Sequence, residues 1–187
     1  MSSAVELIKE FQENLTKYVG VINSDHAYIH DGIAFSAIVD VGTISGAYNI
    51  SFKTPTVASG KFIHWRPIGI TSSANYCKLQ LYEGDTYTGG DAVTPVNLNR
   101  LSDKTSLMQA FVKNSTSTPG GTIIKLSGMG TSGNRSARSG GATASSEEIV
   151  LKQNTIYTMV ITPAGETVVT AELFWYEENG GIEEGNV

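Results

Sequence analysis

The sequence predicts a mainly β protein: an antiparallel β-sandwich, of jelly-roll type, with a short N-terminal α-helix. Three observations support this. From Ala27 onward, short segments of alternating or continuous apolar residues follow one another without a helical period. Their separators are turn chemistry, such as Gly84, Gly89-Gly90, Pro119-Gly120-Gly121 and Pro163-Ala-Gly165. Only the first stretch of chain has apolar residues at helical spacing. A closed β-barrel would leave a similar pattern, so the segments fix the class more firmly than the topology.

That first stretch opens with Ser3-Ala-Val-Glu6, the form of a capping box, in which hydroxyl and carboxylate each satisfy a free helical N–H. Behind it Met1, Ala4, Ile8, Phe11, Leu15, Tyr18 and Ile22 alternate spacings of three and four, a heptad seam that Gly20 is placed to stop. So short a seam needs something to pack on: copies of itself, the β domain or another protein. Bulky Phe11 and Tyr18 fit a tight two-stranded coil poorly and favour three strands or a foreign groove. Ile8, Phe11, Leu15 and Tyr18 are therefore candidate interface residues. The expected organisation is an amphipathic arm over residues 1–24, a β domain over 25–178 and a flexible acidic tail over 179–187.

The expected strands are Ala27–His30, Ala34–Val41, Ala47–Lys53, Phe62–Thr71, Cys77–Tyr82 and Val93–Leu98. Leu107–Val112, Thr122–Leu126, Ile149–Leu151, Ile156–Ile161 and Thr167–Tyr176 complete the series. Pro95 suits only an edge or an irregular start, since it has no N–H for a ladder. Between the later strands lies SGMGTSGNRSARSGGATASS, from Ser127 to Ser146, glycine- and serine-rich without an apolar period. Its only charges are Arg135 and Arg138, which as interface residues would reach carboxylates on a neighbouring subunit or particle surface. The alternative is a solvated loop. Glu177, Glu178, Glu183 and Glu184 read as a frayed, exposed end.

With 187 residues and 40% hydrophobic content, one sizeable core is within reach and a second full domain is not. A net charge of −5 argues against a dedicated nucleic-acid binder. No apolar run reaches the roughly 18 residues of a membrane span, and acidic residues near the start argue against a secretory signal. The single Cys77 excludes an intrachain disulfide and reads as a small hydrophobe in a strand.

A resemblance begins at Leu81-Tyr-Glu-Gly84. This segment, the Gly89-Gly90 turn and the run Thr94-Pro95-Val-Asn-Leu-Asn-Arg100 together resemble a family of small virion proteins of tailed phages. Ile149-Val-Leu-Lys-Gln-Asn-Thr-Ile-Tyr157 and Leu173-Phe-Trp-Tyr-Glu177 extend the likeness over roughly Asp25 to Glu178. The resemblance implies an oligomeric β-sandwich subunit that decorates or cements the outside of a head by binding the major capsid protein, or belongs to another virion part; the heptad seam makes a homotrimer the expected oligomer. The implied location is the virion surface after synthesis in the host cytoplasm, without nucleic-acid or membrane partners. A carbohydrate- or receptor-binding module of a tail or head fibre is the rival.

Chemical constellations are sparse. His26, Tyr28 and His30 would share one face of a strand, with Asp25, Asp31 and His64 as further metal ligands, but ordinary hydrogen bonding is the better reading. Glu83, Asp85 and Asp91 do not follow a calcium-loop spacing and read as turn formers and surface charge. No nucleophile elbow, P-loop or dinucleotide fingerprint is present. No enzyme activity, metal or cofactor is expected. Phe174-Trp175-Tyr176 places neighbours on opposite faces of a strand, which makes Trp175 a further candidate for a subunit interface.

Overall fold

The computed structural model describes residues 24–66, 69–73, 75–117, 120–129 and 148–179. The expected arm with Ile8, Phe11, Leu15 and Tyr18, and the loop with Arg135 and Arg138, lie outside the described residues.

The chain is mainly antiparallel β. Helix α1 (Ser24–His30) leads into β1 (Ala34–Ile44) and β2 (Tyr48–Lys53), and a 3₁₀ turn precedes β3 (Lys61–Trp65) and β4 (Gly69–Ser72). Next come β5 (Cys77–Glu83), the two-residue strands β6 (Tyr87–Thr88), β7 (Asp91–Ala92) and β8 (Val96–Asn97), then β9 (Ala110–Lys113) and β10 (Thr116–Ser117). The last four are β11 (Thr122–Met129), β12 (Ile149–Leu151), β13 (Ile156–Pro163) and β14 (Thr167–Asn179).

One six-stranded sheet has the order β12-β3-β14-β1-β8, with β4 also on β14, and the other runs β11-β5-β13-β2-β9-β7. β6 and β10 form a separate pair. Eight of these strands nest: β1 pairs β14, β2 pairs β13, β3 pairs β12 and β5 pairs β11, all antiparallel. Early strands of the described chain thus pair with late ones in nested order across the two larger sheets.

Alternation decides what each strand buries. In β14 Val169, Ala171, Leu173 and Trp175 point inward, as do Phe35, Ala37 and Val39 of β1. The second sheet contributes Phe52 of β2, Leu79 and Leu81 of β5, Phe111 of β9, and Tyr157 and Met159 of β13 to the same core. Aromatic rings form the seam. Phe52 stacks on Trp65 with centroids 4.6 Å apart, and Trp65 on Trp175 at 5.9 Å. Phe111, 5.8 Å from Trp175 and 5.6 Å from Phe52, closes the link between the sheets.

Five sequence expectations need correction. Ala27–His30 is the end of a helix, because a four-residue alternation is too short to separate helix from strand. Gly32, at φ 66°, ends that turn: Gly32 N–H bonds Ile29 O at 3.0 Å and Ile33 N–H bonds Tyr28 O at 3.1 Å, a Schellman closure. Phe62–Thr71 divides into β3 and β4, and Val93–Leu98 contains only the two residues of β8. Ser127 belongs to β11, so the glycine- and serine-rich connection starts later. Glu177 and Glu178 are not a frayed tail but continue β14 to Asn179.

The aromatic seam sets a stability expectation. Phe52→Ala removes a fully buried ring that stacks on Trp65, Phe111 and Tyr157, and should cost about 3–5 kcal/mol. Ile38→Ala, at a side chain 66% exposed, should change stability by less than about 0.5 kcal/mol. Urea denaturation of both variants checks the contrast.

Candidate binding cleft beside Glu177

The site grows out of the end of β14. Alternation carries the inward face past Trp175 to Glu177, so a carboxylate follows a tryptophan into the interior and is only 3% exposed. A buried carboxylate must be bonded or neutralised. Glu177 is bonded: Trp175 Nε1–H donates to Oε1 at 3.2 Å and the Ser106 hydroxyl at 2.6 Å. The Leu107 N–H is shared between Oε1 at 3.1 Å and Oε2 at 3.0 Å. Glu177 therefore ties the irregular segment 98–108 to the core.

The other tie is Asn97, also buried, in the run Asn97-Leu98-Asn99-Arg100. Its amide donates to Gly32 O and Lys104 O, both at 3.0 Å, while its Oδ1 accepts the Asn99 N–H at 2.9 Å. Asn99 donates to His30 O at 3.0 Å, and Lys104 Nζ to Asp31 O at 2.8 Å. Gly32 is required twice over. Its φ is positive, and a Cβ there would lie 2.5 Å from the Ser102 hydroxyl.

Between these tied walls runs a cleft of two adjoining chambers. The inner, mainly apolar one encloses about 320 Å³ beside Ile33, Phe35 and Leu107. The outer, mainly polar one encloses about 550 Å³ beside Asp31, Glu178 and Asn179. Lys61 and Lys104 line both. The cleft can bind; its buried carboxylate is already held by three donors and is poorly placed for acid–base work.

A second cluster lies on the outer face of the same sheet. Tyr176 stacks under Tyr28 of α1 at 3.9 Å and beside His64 at 4.5 Å. His64 Nδ1 lies 2.6 Å from Glu148 Oε1, and its Nε2 lies 3.6 Å from Glu178. Arg66 Nε lies 3.7 Å from Glu148 Oε2. Desolvation pushes the Glu148 carboxyl up, but hydrogen bonds from Tyr176 and His64 and the His64 and Arg66 charges together hold it below its ordinary value. Burial, with the Glu148 and Tyr28 contacts, pushes the Tyr176 phenol far up. On the other sheet Glu83 is held low, chiefly by its bond from Lys152 at 2.6 Å, with desolvation opposing and Tyr157 assisting.

Trp175 is not an interface residue: it is fully buried in the core, and it is Phe174 and Tyr176 that face the other side. His26 and His30 sit one helical turn apart with centroids at 4.4 Å, while His64 is engaged with Glu148. Among the described residues no group of three His, Cys, Asp or Glu is placed to hold a metal ion. Asp85 is not surface charge but buried, accepting from Ser117 Oγ at 2.7 Å and Gly120 N at 3.0 Å. Cys77 is a buried thiol, as its strand position suggests. Asn97 carries no sequence signal of its role, whereas the inward alternation through Leu173 and Trp175 points at Glu177. Comparison with family models, curated proteins and solved structures yields no match for this chain.

Two outcomes follow from these bonds. Glu177→Ala strands three donors and should destabilise the fold by about 3 kcal/mol or more, with loss of hydrogen-exchange protection at the Leu107 amide. Unchanged exchange at Leu107 would show that the segment stands without the clamp.

The lowered carboxyls give a pH dependence. A carboxyl held low in the folded state adds stability above its unfolded pKa, and that stability is lost as pH falls through the folded value. The melting temperature should therefore drop as pH falls from the ordinary carboxyl value of 4.5 downward. The double variant Glu83→Gln with Glu148→Gln should show a shallower drop in the same titration; an unaltered slope would remove both groups from the account.

Proposed function

We propose that this chain is a non-enzymatic structural subunit of a tailed-phage virion: a β-sandwich of jelly-roll type that binds the outside of the head as a homotrimer. The nesting of β1 on β14, β2 on β13, β3 on β12 and β5 on β11 supports the jelly-roll reading. Viral capsid and lectin domains share that architecture, which is analogy of fold and not evidence of role. The phage-protein resemblance of the Leu81–Arg100 and Ile149–Tyr157 segments supplies the virion.

The observation that carries the reading is where the apolar and the charged side chains stand. Buried carboxylates are spent on architecture, Glu177 on the 98–108 segment and Asp85 on the Ser117 hydroxyl and the Gly120 N–H. Large apolar side chains meanwhile stand exposed on outer faces and at an edge. Ile38 and Val150 lie on the outside of the first sheet, and Ile123 and Leu126 on β11, the edge of the second. Each is an apolar anchor that contact with another protein would cover. A head contact of standard size buries about 1,600 Å² in total, and three on one rigid body would combine through effective concentration.

The test has two parts. Light scattering should give the mass of a trimer, and the purified protein should sediment with heads that lack it, saturating at a symmetry-related copy number. Leu126→Asp with Ile38→Asp, both at exposed positions, should weaken head binding or trimer formation without lowering the melting temperature. A monomer that ignores heads and attaches to host cells would replace this reading with the receptor-binding one.

A further inference from the structure

We infer that the cleft between α1–β1, the 98–108 segment and the end of β14 is a binding site for an acidic saccharide, a sugar ring bearing a carboxylate. The inference stands on the cleft alone and does not depend on the virion reading.

The first ground is preorganisation. A surface crevice between a helix end and an irregular segment has no need of rigid walls, yet both walls here are fixed by buried polar side chains. Asn97 spans them, bonding Gly32 O on one side and Lys104 O on the other at 3.0 Å each. Glu177 holds the rim at Ser106 and Leu107, and its own N–H bonds Ile33 O at 3.0 Å. A site fixed before binding loses little entropy when a small ligand arrives.

The second ground is an unspent cation. Lys152 is paired with Glu83, and Lys104 donates to Asp31 O. The Lys61 ammonium has no hydrogen-bond or ion-pair partner among the described residues, and it lines both chambers. Lys61 stands opposite Asn179 in the β3–β14 register. Lys104 keeps donors beyond the one it uses. Over the whole cleft Asp31, Glu177 and Glu178 outnumber the two lysines, but the inner chamber holds Lys61 and Lys104 against Glu177 alone, whose carboxylate three donors already satisfy, so one anionic group on the ligand is matched there.

The third ground selects the sugar. The inner chamber offers Ile33, Phe35 and Leu107, an apolar surface for the C–H face of a ring. The outer chamber offers the carboxylates of Asp31 and Glu178 and the amide of Asn179, which accept from and donate to hydroxyls in pairs. A simple aliphatic carboxylate would leave those outer groups unused. An acidic peptide would bring its charges against Asp31 and Glu178. A polyhydroxylated ring with one carboxylate uses the apolar wall, the hydroxyl partners and Lys61 together. The chamber volumes, about 320 and 550 Å³, fall within the range of about 300–1,000 Å³ usual for small-ligand sites.

The experiment is an amide-shift titration of the full ¹⁵N-labelled chain with glucuronate, glucose, hexanoate and a triglutamate peptide. Glucuronate should give saturable shifts at Gly32, Thr105, Glu177 and Asn179, with glucose and hexanoate each binding several-fold more weakly. Lys61→Gln should weaken glucuronate about tenfold, the value of one lost charge-assisted bond. Lys61→Arg should restore most of the affinity, and Lys78→Gln, on the other sheet, should leave it unchanged. Melting curves confirm that each variant is folded, and the comparison among ligands on the unaltered chain needs no variant at all. Four results overturn the inference: no saturation by glucuronate at millimolar concentration, glucose binding as tightly as glucuronate, hexanoate or triglutamate binding more tightly than either sugar, or Lys61→Gln without effect.

Discussion

The indole of Trp175 is the group on which the rest of this structure depends. Its faces close the aromatic seam, stacking on Trp65 and Phe111 and lying 6.2 Å from Phe35. Its edge carries an N–H that burial would leave unsatisfied. The next residue on the same face of the same strand is Glu177, two positions on, and its Oε1 accepts that hydrogen bond at 3.2 Å. A carboxylate brought so deep must then find more donors, and the 98–108 segment supplies them from Ser106 and Leu107. Packing at the centre and shape at the rim are thus consequences of one hydrogen bond.

Polar burial takes two forms. Carboxylates and an amide fix irregular chain, through Glu177, Asp85 and Asn97. Hydroxyls link strands in both sheets, Ser72 to Thr167 at 2.9 Å in the first and Ser51 to Thr158 at 3.0 Å in the second. Hydroxyls satisfy one another at low desolvation cost, whereas a carboxylate does not. The more expensive device stands where a long segment without regular structure has to hold one conformation. Fixing such a segment costs roughly 1–2 kcal/mol per residue in backbone entropy, so several bonds are needed to offset it.

Much of the β framework was legible because its strands alternate over seven residues or more. Cys77-Lys-Leu-Gln-Leu-Tyr-Glu83 declares its buried face directly, and Thr167 to Trp175 does so over a longer run. Short elements were not. Ala27–His30 fits either period, and only the Asp31-Gly32 pair beyond it points to a helix closing on a left-handed glycine. The cleft was illegible for a different reason. Its parts come from β3, β14, the α1–β1 connection and the 98–108 segment, and no local pattern brings Lys61 near Lys104. Glu177 was hidden by composition: four glutamates near the end of the chain suggest solvent, while strict alternation places the first of them inside.

The same alternation explains why one sheet carries both candidate sites. Along β14, odd residues build the core and the clamp, while even residues build the outer face, with Tyr176 beneath Tyr28 and beside His64. Tyr176 and Glu177 are sequence neighbours with opposite duties. One seats α1 on the sheet, and the other holds the segment that faces α1 across the cleft. The position of α1 therefore depends on both faces of a single strand at once, through the Tyr28 stack from outside and the bonds of Asn97 to Gly32 O and Asn99 to His30 O from the rim. An element fixed from two directions is a poor hinge and a good wall. That is the mechanical condition under which a cleft of this size can discriminate a small ligand by the positions of a few polar atoms.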